Sequence, residues 1–373
     1  MPLVSTIRAA LESIAPPSLA EPWDNVGLLV GADAWETSRV LLTIDLTESV
    51  LEEAIAVGAG MVVAYHPLIF KPIARITDAA GKGRIVLGAA RAGIAVHSPH
   101  TAIDACTGGV NDWLVEGFGR GDVRALKAHE GLPQSEECKI VTFCPVDAVE
   151  RVRRALSTVG AGKIGNYELC SFEIHGEGTF LGNDESNPTI GRRGVLERVR
   201  EVRLEMVCPI AALGLAVTTL RQFHPYEEPP IEIYRLQPRP ERRVGPGRRL
   251  HLDRAATLAE LVERIKAHLG TKAVVIAEGR GAPAELATIG ICAGSGGALL
   301  DAALAQGCHC YFTGEMGHHD VLKAQELGCC VILAGHTNTE RGYLPRLAAE
   351  LTRRVPGLDV QVSKEDREPL KVR

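Results

Sequence analysis

Short apolar runs separated by amphipathic stretches fill the first and last thirds of the chain. Val4, Ile7, Leu11 and Ile14 recur at helical spacing with Arg8 and Glu12 on the other side, which predicts an opening helix that Pro16-Pro17 stops. Runs at 26–30, 40–44, 61–64 and 93–96 read as strands, with helices over 48–57 and 85–92 between them. The same alternation returns after residue 243. It predicts a helix over 258–269, strands at 273–277, 287–292, 310–312 and 330–334, and helices from 298 and over 321–327. A helix over 344–353 and a strand at 359–363 end it. Strands alternating with helices specify an α/β fold.

The middle of the chain has a different texture. A polar stretch bearing Pro and Gly at 129–137 and a second linker at 238–243 enclose strands at 139–144, 203–207 and 231–236, a strand pair within 169–179, and helices over 147–159, 193–200 and 211–222. Two passes of strand–helix–strand in about 100 residues predict a ferredoxin-like α+β unit. The expected organisation is therefore an α/β domain built from two chain segments, 1–126 and 243–373, with an inserted α+β domain at 127–242.

Polar residues gather where the outer strands end. Asp45, His66, His100 and Asp104 all follow predicted strands, and Pro67 holds His66 extended at a strand mouth. The run at 330–334 meets Gly335, and His336 and Glu340 follow, four positions apart, so a helical turn points both the same way. An imidazole and a carboxylate at that spacing make half of a metal site. Taken singly, each residue reads equally well as a helix cap or a solvated loop residue. Their convergence on the strand-end edge, where open α/β sheets bind ligands, is what points to metal. Glu315, His318 and His319 follow a neighbouring strand and are candidates for orienting the ligands or for general acid–base catalysis; a capping Glu and a solvated His pair is the plainer alternative. Gly294-Ser295-Gly296-Gly297 opens a helix and could cradle a phosphate, but it matches no nucleotide fingerprint and reads first as a tight turn.

Composition narrows the classes. The chain has 373 residues, 46% hydrophobic and 23% charged, with a formal net charge of -5, which gives no electrostatic case for nucleic acid or an anionic membrane. Its length suits two domains. Ten cysteines occur without any C-x-x-C, so buried thiols in a reducing compartment are expected rather than a disulfide framework or a zinc cluster. No signal-peptide pattern and no apolar run of about 18 residues is found, and a cytoplasmic location is the expectation.

Several segments occur together in a telling order. They are Trp23-Asp24-Asn25-Val26-Gly27-Leu28, Tyr65-His66-Pro67-Leu68-Ile69-Phe70, His100-Thr101-x-x-Asp104, Thr313-Gly314-Glu315 and Gly335-His336-x-x-x-Glu340. Together they resemble the Nif-three-like family of dinuclear-metal, ring-forming hexamers, often labelled GTP cyclohydrolase 1 type 2 homologues. The stretch around Gly165-Asn166-Tyr167 and Gly176-Glu177-Gly178-Thr179-Phe180 resembles the PII-like insert of the family's longer members.

The resemblance implies His66, His100, Asp104, His336 and Glu340 as ligands of two divalent ions (zinc, iron or manganese), and a homohexamer. It leads us to expect a hydrolase acting on a small phosphorylated or nucleotide-like substrate, with Glu315 and His318 as catalytic candidates. A non-enzymatic hexameric scaffold with a sensing insert is the second expectation. The family's usual pattern has two histidines before the proline; here the first is Tyr65, as in the eukaryotic-type branch, and a phenol with a pKa of about 10 is the poorer ligand. His97, on the same loop as His100, is a candidate replacement.

Overall fold

The opening helix forms where its spacing puts it, over Val4–Ile14, burying Val4, Ile7 and Leu11. The computed structural model describes residues 1–79 and 81–370. Five strands follow that helix: β1 (Gly27–Val30), β2 (Arg39–Thr43), β3 (Met61–Ala64), β4 (Ala95–Ser98) and β5 (Gly121–Ala125). The middle segment holds β6 (Glu130–Gly131), β7 (Cys138–Pro145), β8 (Phe172–Leu181), β9 (Leu196–Cys208), β10 (Ile231–Arg235) and β11 (Arg239–Pro240). The last segment holds β12 (Arg248–Ala256), β13 (Val275–Ala277), β14 (Leu286–Ser295), β15 (Cys310–Glu315), β16 (Cys330–Leu333) and β17 (Asp359–Val362).

The chain divides into an outer unit, Met1–His129 with Glu241–Arg373, and an inner unit, Glu130–Pro240. The expected joins at 126 and 242 shift to 129 and 240. Backbone bonds from His129 N to Val244 O (2.8 Å) and from Glu241 N to His129 O (2.9 Å) keep both ends of the linkers in the outer unit.

The outer unit has two sheets. One runs β1-β4-β3-β2-β17, parallel except for β1. The other runs β13-β16-β15-β14-β12-β5, with β14, β15 and β16 parallel and the other strands antiparallel. Strands β5 and β12 go beyond the sequence expectation. One core joins the two sheets: Val40, Leu42, Met61 and Val63 of the first and Ile289, Ile291, Phe312 and Ile332 of the second share it with helices Val4–Ile14, Val110–Glu116 and Leu344–Arg354. The opposite faces pack on helices Glu48–Ala56 and Gly81–Arg91 in one case, and on Leu300–Ala305 and His318–Glu326 in the other.

Two buried polar side chains tie the segments together. Arg248 is fully buried, paired with Asp112 and donating to the carbonyls of Gly245, Gly247 and Cys106. Asn111 donates to Asp104 O (3.0 Å) and accepts from Ala293 N (2.9 Å), so the Asp104 turn is held against β14. All ten cysteines are free, and all but Cys170 are buried.

The inner unit forms an antiparallel sheet ordered β10-β7-β9-β8, with helix Val149–Thr158 after β7 and helix Leu213–Phe223 after β9. This is the ferredoxin-like order. Two local expectations are corrected. Of residues 193–200, expected as helix, 196–200 belong to β9 and 193–195 lead into it, because Leu196 to Glu205 pair residue for residue with Leu181 to Phe172 and the ladder overrides local propensity. The expected strand pair within 169–179 is the single strand β8; Gly176 and Gly178 lie inside it rather than at a turn.

Candidate metal centre

The C-terminal ends of the parallel strands from both outer sheets meet at one place. His66 follows β3, His336 follows β16, and Glu340 lies on the short helix Asn338–Arg341. One ligand atom from each of the three lies within 4.8 Å of the others. The Glu340 carboxylate reaches towards both rings, with Oε2 3.4 Å from His66 Nε2 and Oε1 3.4 Å from His336 Nε2. Glu340 is 2% exposed, yet its Oε2 has no hydrogen-bond partner among the described residues. A buried carboxylate oxygen without a donor is costly, and a cation between the two imidazoles satisfies it. The donor set of two imidazoles and a carboxylate suits a divalent transition metal.

The second nitrogen of each ring is already engaged. Nδ1 of His66 lies 2.9 Å from Asp45 Oδ1, and Nδ1 of His336 lies 2.9 Å from Glu315 Oε1. Nδ1 of His100 lies 2.7 Å from Asp24 Oδ1, while Asp24 Oδ2 accepts from the Thr101 amide and hydroxyl. Carboxylates on Nδ1 orient each ring and keep a proton on Nδ1, so that Nε2 is the atom that becomes the metal donor once it is deprotonated. Burial disfavours the charged form of His66, but the Asp45 carboxylate on Nδ1 and the nearby negative charge of Glu340 outweigh that and raise its pKa to about 10. The field that holds that proton is the field a cation would meet.

Of the five expected ligands the structure groups three. His100 stands beside them, its ring centroid 5.5 Å from that of His66, with a backbone φ of +24° that a non-glycine residue adopts only under constraint. Asp104 accepts the hydroxyl of the buried Tyr65. Burial raises the Asp104 carboxyl to about 6, and raises the Tyr65 phenol well above its ordinary value. The phenol is thus a hydrogen-bond donor to Asp104. His97 takes another direction: it is buried in β4, neither ring nitrogen has a hydrogen-bond partner among the described residues, and burial with nearby Arg8 lowers its pKa to about 4. It lies outside the three-residue group. His318 and His319 are exposed at the start of helix His318–Glu326, their rings edge to face with centroids 5.6 Å apart.

Sequence reasoning missed the part that Gly294 plays. With φ +60°, it lies against the site, where an added Cβ would meet Glu340 Oε1 at 2.6 Å and His336 Nε2 at 3.0 Å. Its amide donates to Thr339 Oγ1 (2.8 Å), and Thr339 in turn donates to His336 O (2.6 Å). Within the 294–297 stretch, Gly294 therefore acts as close packing against the ligands, while Gly296 packs against Thr313 and Tyr311. A cleft of about 620 Å³ opens beside His66, with Asp45, Lys82, Asp366 and Arg367 among its walls.

Comparison with known proteins agrees with this architecture. Residues 2–369 match the family model for Duf34/NIF3 (NGG1p interacting factor 3). A GTP cyclohydrolase 1 type 2 homolog of Halalkalibacterium halodurans is 33% identical over 341 residues, covering 90% of this chain and 88% of that protein. NIF3-like protein 1 of Rattus norvegicus is 34% identical over 373 residues, covering 99% of this chain and 92% of that one. Among solved structures, a Bacillus cereus protein related to NIF3 superposes with a TM-score of 0.70 at 31% identity, covering 100% of this chain and 99% of that chain. Staphylococcus aureus protein SA1388 superposes with a TM-score of 0.80 at 27% identity, covering 99% and 98%. With two sheets meeting at a His/His/Glu cluster and a family match spanning nearly every residue, the chain belongs to the Duf34/NIF3 family.

Proposed function

We propose that the chain is a dinuclear metal-binding hydrolase acting on a small phosphorylated or nucleotide-like substrate. The carrying observation is the buried, unpartnered Glu340 Oε2 between His66 and His336. In this reading those three residues hold one ion, and His100 and Asp104 contribute to a second. A divalent ion there supplies Lewis acidity for activating water and polarising the substrate oxygen. Asp45, Asp24 and Glu315 orient the imidazoles through Nδ1. That contact favours an orienting part for Glu315 and leaves exposed His318 as the proton-transfer candidate.

The cleft beside His66 takes the substrate, where Lys82 and Arg367 offer cationic partners for a phosphate. The relatives' label, GTP cyclohydrolase 1 type 2 homolog, fits a nucleotide-like substrate. The family resemblance adds a homohexamer and a PII-like character for the insert. Metal-dependent turnover across a panel of nucleotides and phosphoesters tests the reading. Activity lost on chelation, restored by metal and absent in Glu340→Gln supports it; activity that survives both treatments contradicts it.

A further inference from the structure

The inner unit carries a cavity that none of the above uses. Its sheet has one face covered: Cys138, Ile140 and Cys144 of β7 and Val202, Leu204 and Met206 of β9 pack with the two helices. By alternation, Phe143 and Glu201 point to the opposite face. On β8 the residues paired with Glu201 and Val199 are Gly176 and Gly178, which leaves a gap in the row of side chains. A Cβ on Gly178 would meet Glu201 Oε2 at 2.0 Å, so the carboxylate lies in the space a side chain would take. A half-open cavity of about 340 Å³ lies there, walled by Phe143, Phe180 and Tyr226 and flanked by Ser186 and Pro188 to Ile190 of the 183–190 loop. Two contacts pin that loop: Asn187 N to Glu227 Oε2 (2.8 Å) and Thr189 Oγ1 to Pro225 O (2.6 Å). The Tyr226 hydroxyl donates to Glu201 Oε1 at 2.6 Å and fixes the carboxylate.

We propose that this cavity binds a flat aminoheterocycle, with guanine as the reference ligand, through ring contacts to Phe143, Phe180 and Tyr226 and through Glu201. Its size falls at the small end of ligand pockets, about 300–1,000 Å³, and suits one base or nucleoside. Aromatic walls favour a planar ring. The charged residues of the lining are Glu201, Glu227 and Glu228, with no Lys or Arg among them, so the cavity disfavours phosphate. An ionised carboxylate only accepts, and two adjacent N–H donors suit it best. Guanine offers such a pair on one edge, whereas adenine sets an acceptor beside its amino group. The site needs nothing from the metal centre.

Calorimetric titration of the full chain under chelation tests the assignment, with guanosine, inosine, adenosine and guanosine monophosphate as probes. Guanosine should bind one per chain. Inosine, without the 2-amino group, and Glu201→Gln, which keeps an acceptor for Tyr226, should each weaken binding by about tenfold or more. The monophosphate and adenosine should bind more weakly than guanosine. Ile190→Trp, at the exposed edge of the cavity wall, should block binding while leaving the melting temperature unchanged. No guanosine binding by the folded chain, or equal binding by wild type, Glu201→Gln and Ile190→Trp, overturns the proposal.

Discussion

Replacing Glu340 by Gln keeps the shape of the side chain and removes its charge. In the structure that carboxylate is 2% exposed and stands 3.4 Å from both His66 Nε2 and His336 Nε2. At about 4 Å and an effective dielectric of about 20, a carboxylate and a single positive charge attract by about 4 kcal/mol, which is a lower bound for a divalent ion at coordinating distance. Losing that attraction weakens metal binding by about a thousandfold. The consequence for stability follows by mass action. With free metal at about 1,000 times the wild-type Kd, wild type gains about 4 kcal/mol, whereas Glu340→Gln, then near its own Kd, gains about 0.4 kcal/mol. Thermal melting of metal-free protein, with and without added zinc or manganese, reads the two gains, and elemental analysis after dialysis reads the bound ions. A variant that keeps both its metal content and its thermal gain refutes the assignment of Glu340 as a ligand.

Other perturbations separate the surrounding parts. Asp45→Asn removes the carboxylate that orients His66 through Nδ1 and should cost about 10- to 100-fold in metal affinity, read by competition with a chelating dye; unchanged affinity would exclude that positioning role. Gly294→Ala puts a Cβ 2.6 Å from Glu340 Oε1 at a φ of +60°, so metal affinity should fall further than the backbone cost of about 1–2 kcal/mol accounts for; a loss confined to stability refutes the close-packing account. Metal must displace the proton that His66 holds up to about pH 10, so affinity should rise by about tenfold per unit between pH 6 and 9, with proton release seen by calorimetry; a flat profile contradicts this. His97, held near pKa 4 against about 6.5 unfolded, stays neutral while the unfolded chain takes up a proton. Stability should therefore hold above pH 6.5 and fall below it, by about 2.5 kcal/mol at pH 4.5, and His97→Leu should abolish that part of the loss in urea unfolding; an equal loss in both proteins excludes it.

What the sequence makes legible is local. His336 and Glu340 are readable as a pair because helical spacing alone aims them together, and His66 because Pro67 fixes its backbone at a strand end. Their meeting depends on two sheets sharing one core, and strand-end logic anticipates that edge without its distances. Residues that act across the chain leave no such mark. Asn111 joins the Asp104 turn to β14, and Arg248 is buried against Asp112, yet neither spacing nor type distinguishes them beforehand. Gly294 reads as a turn residue because nothing nearby in sequence reveals that Glu340 and His336 crowd it. In the inner unit, charged residues at 197–200 suggest a helix, while the long pairing of β9 with β8 decides for strand.

The central claim is that His66 from one chain segment and His336 and Glu340 from another hold one divalent ion. Its most direct test is a crystal of the metal-loaded protein with diffraction data collected at that metal's absorption edge. The account predicts an anomalous peak within coordinating distance, about 2.0–2.2 Å, of both imidazole Nε2 atoms and a Glu340 oxygen. A fully occupied peak elsewhere, with none between these three side chains, contradicts it.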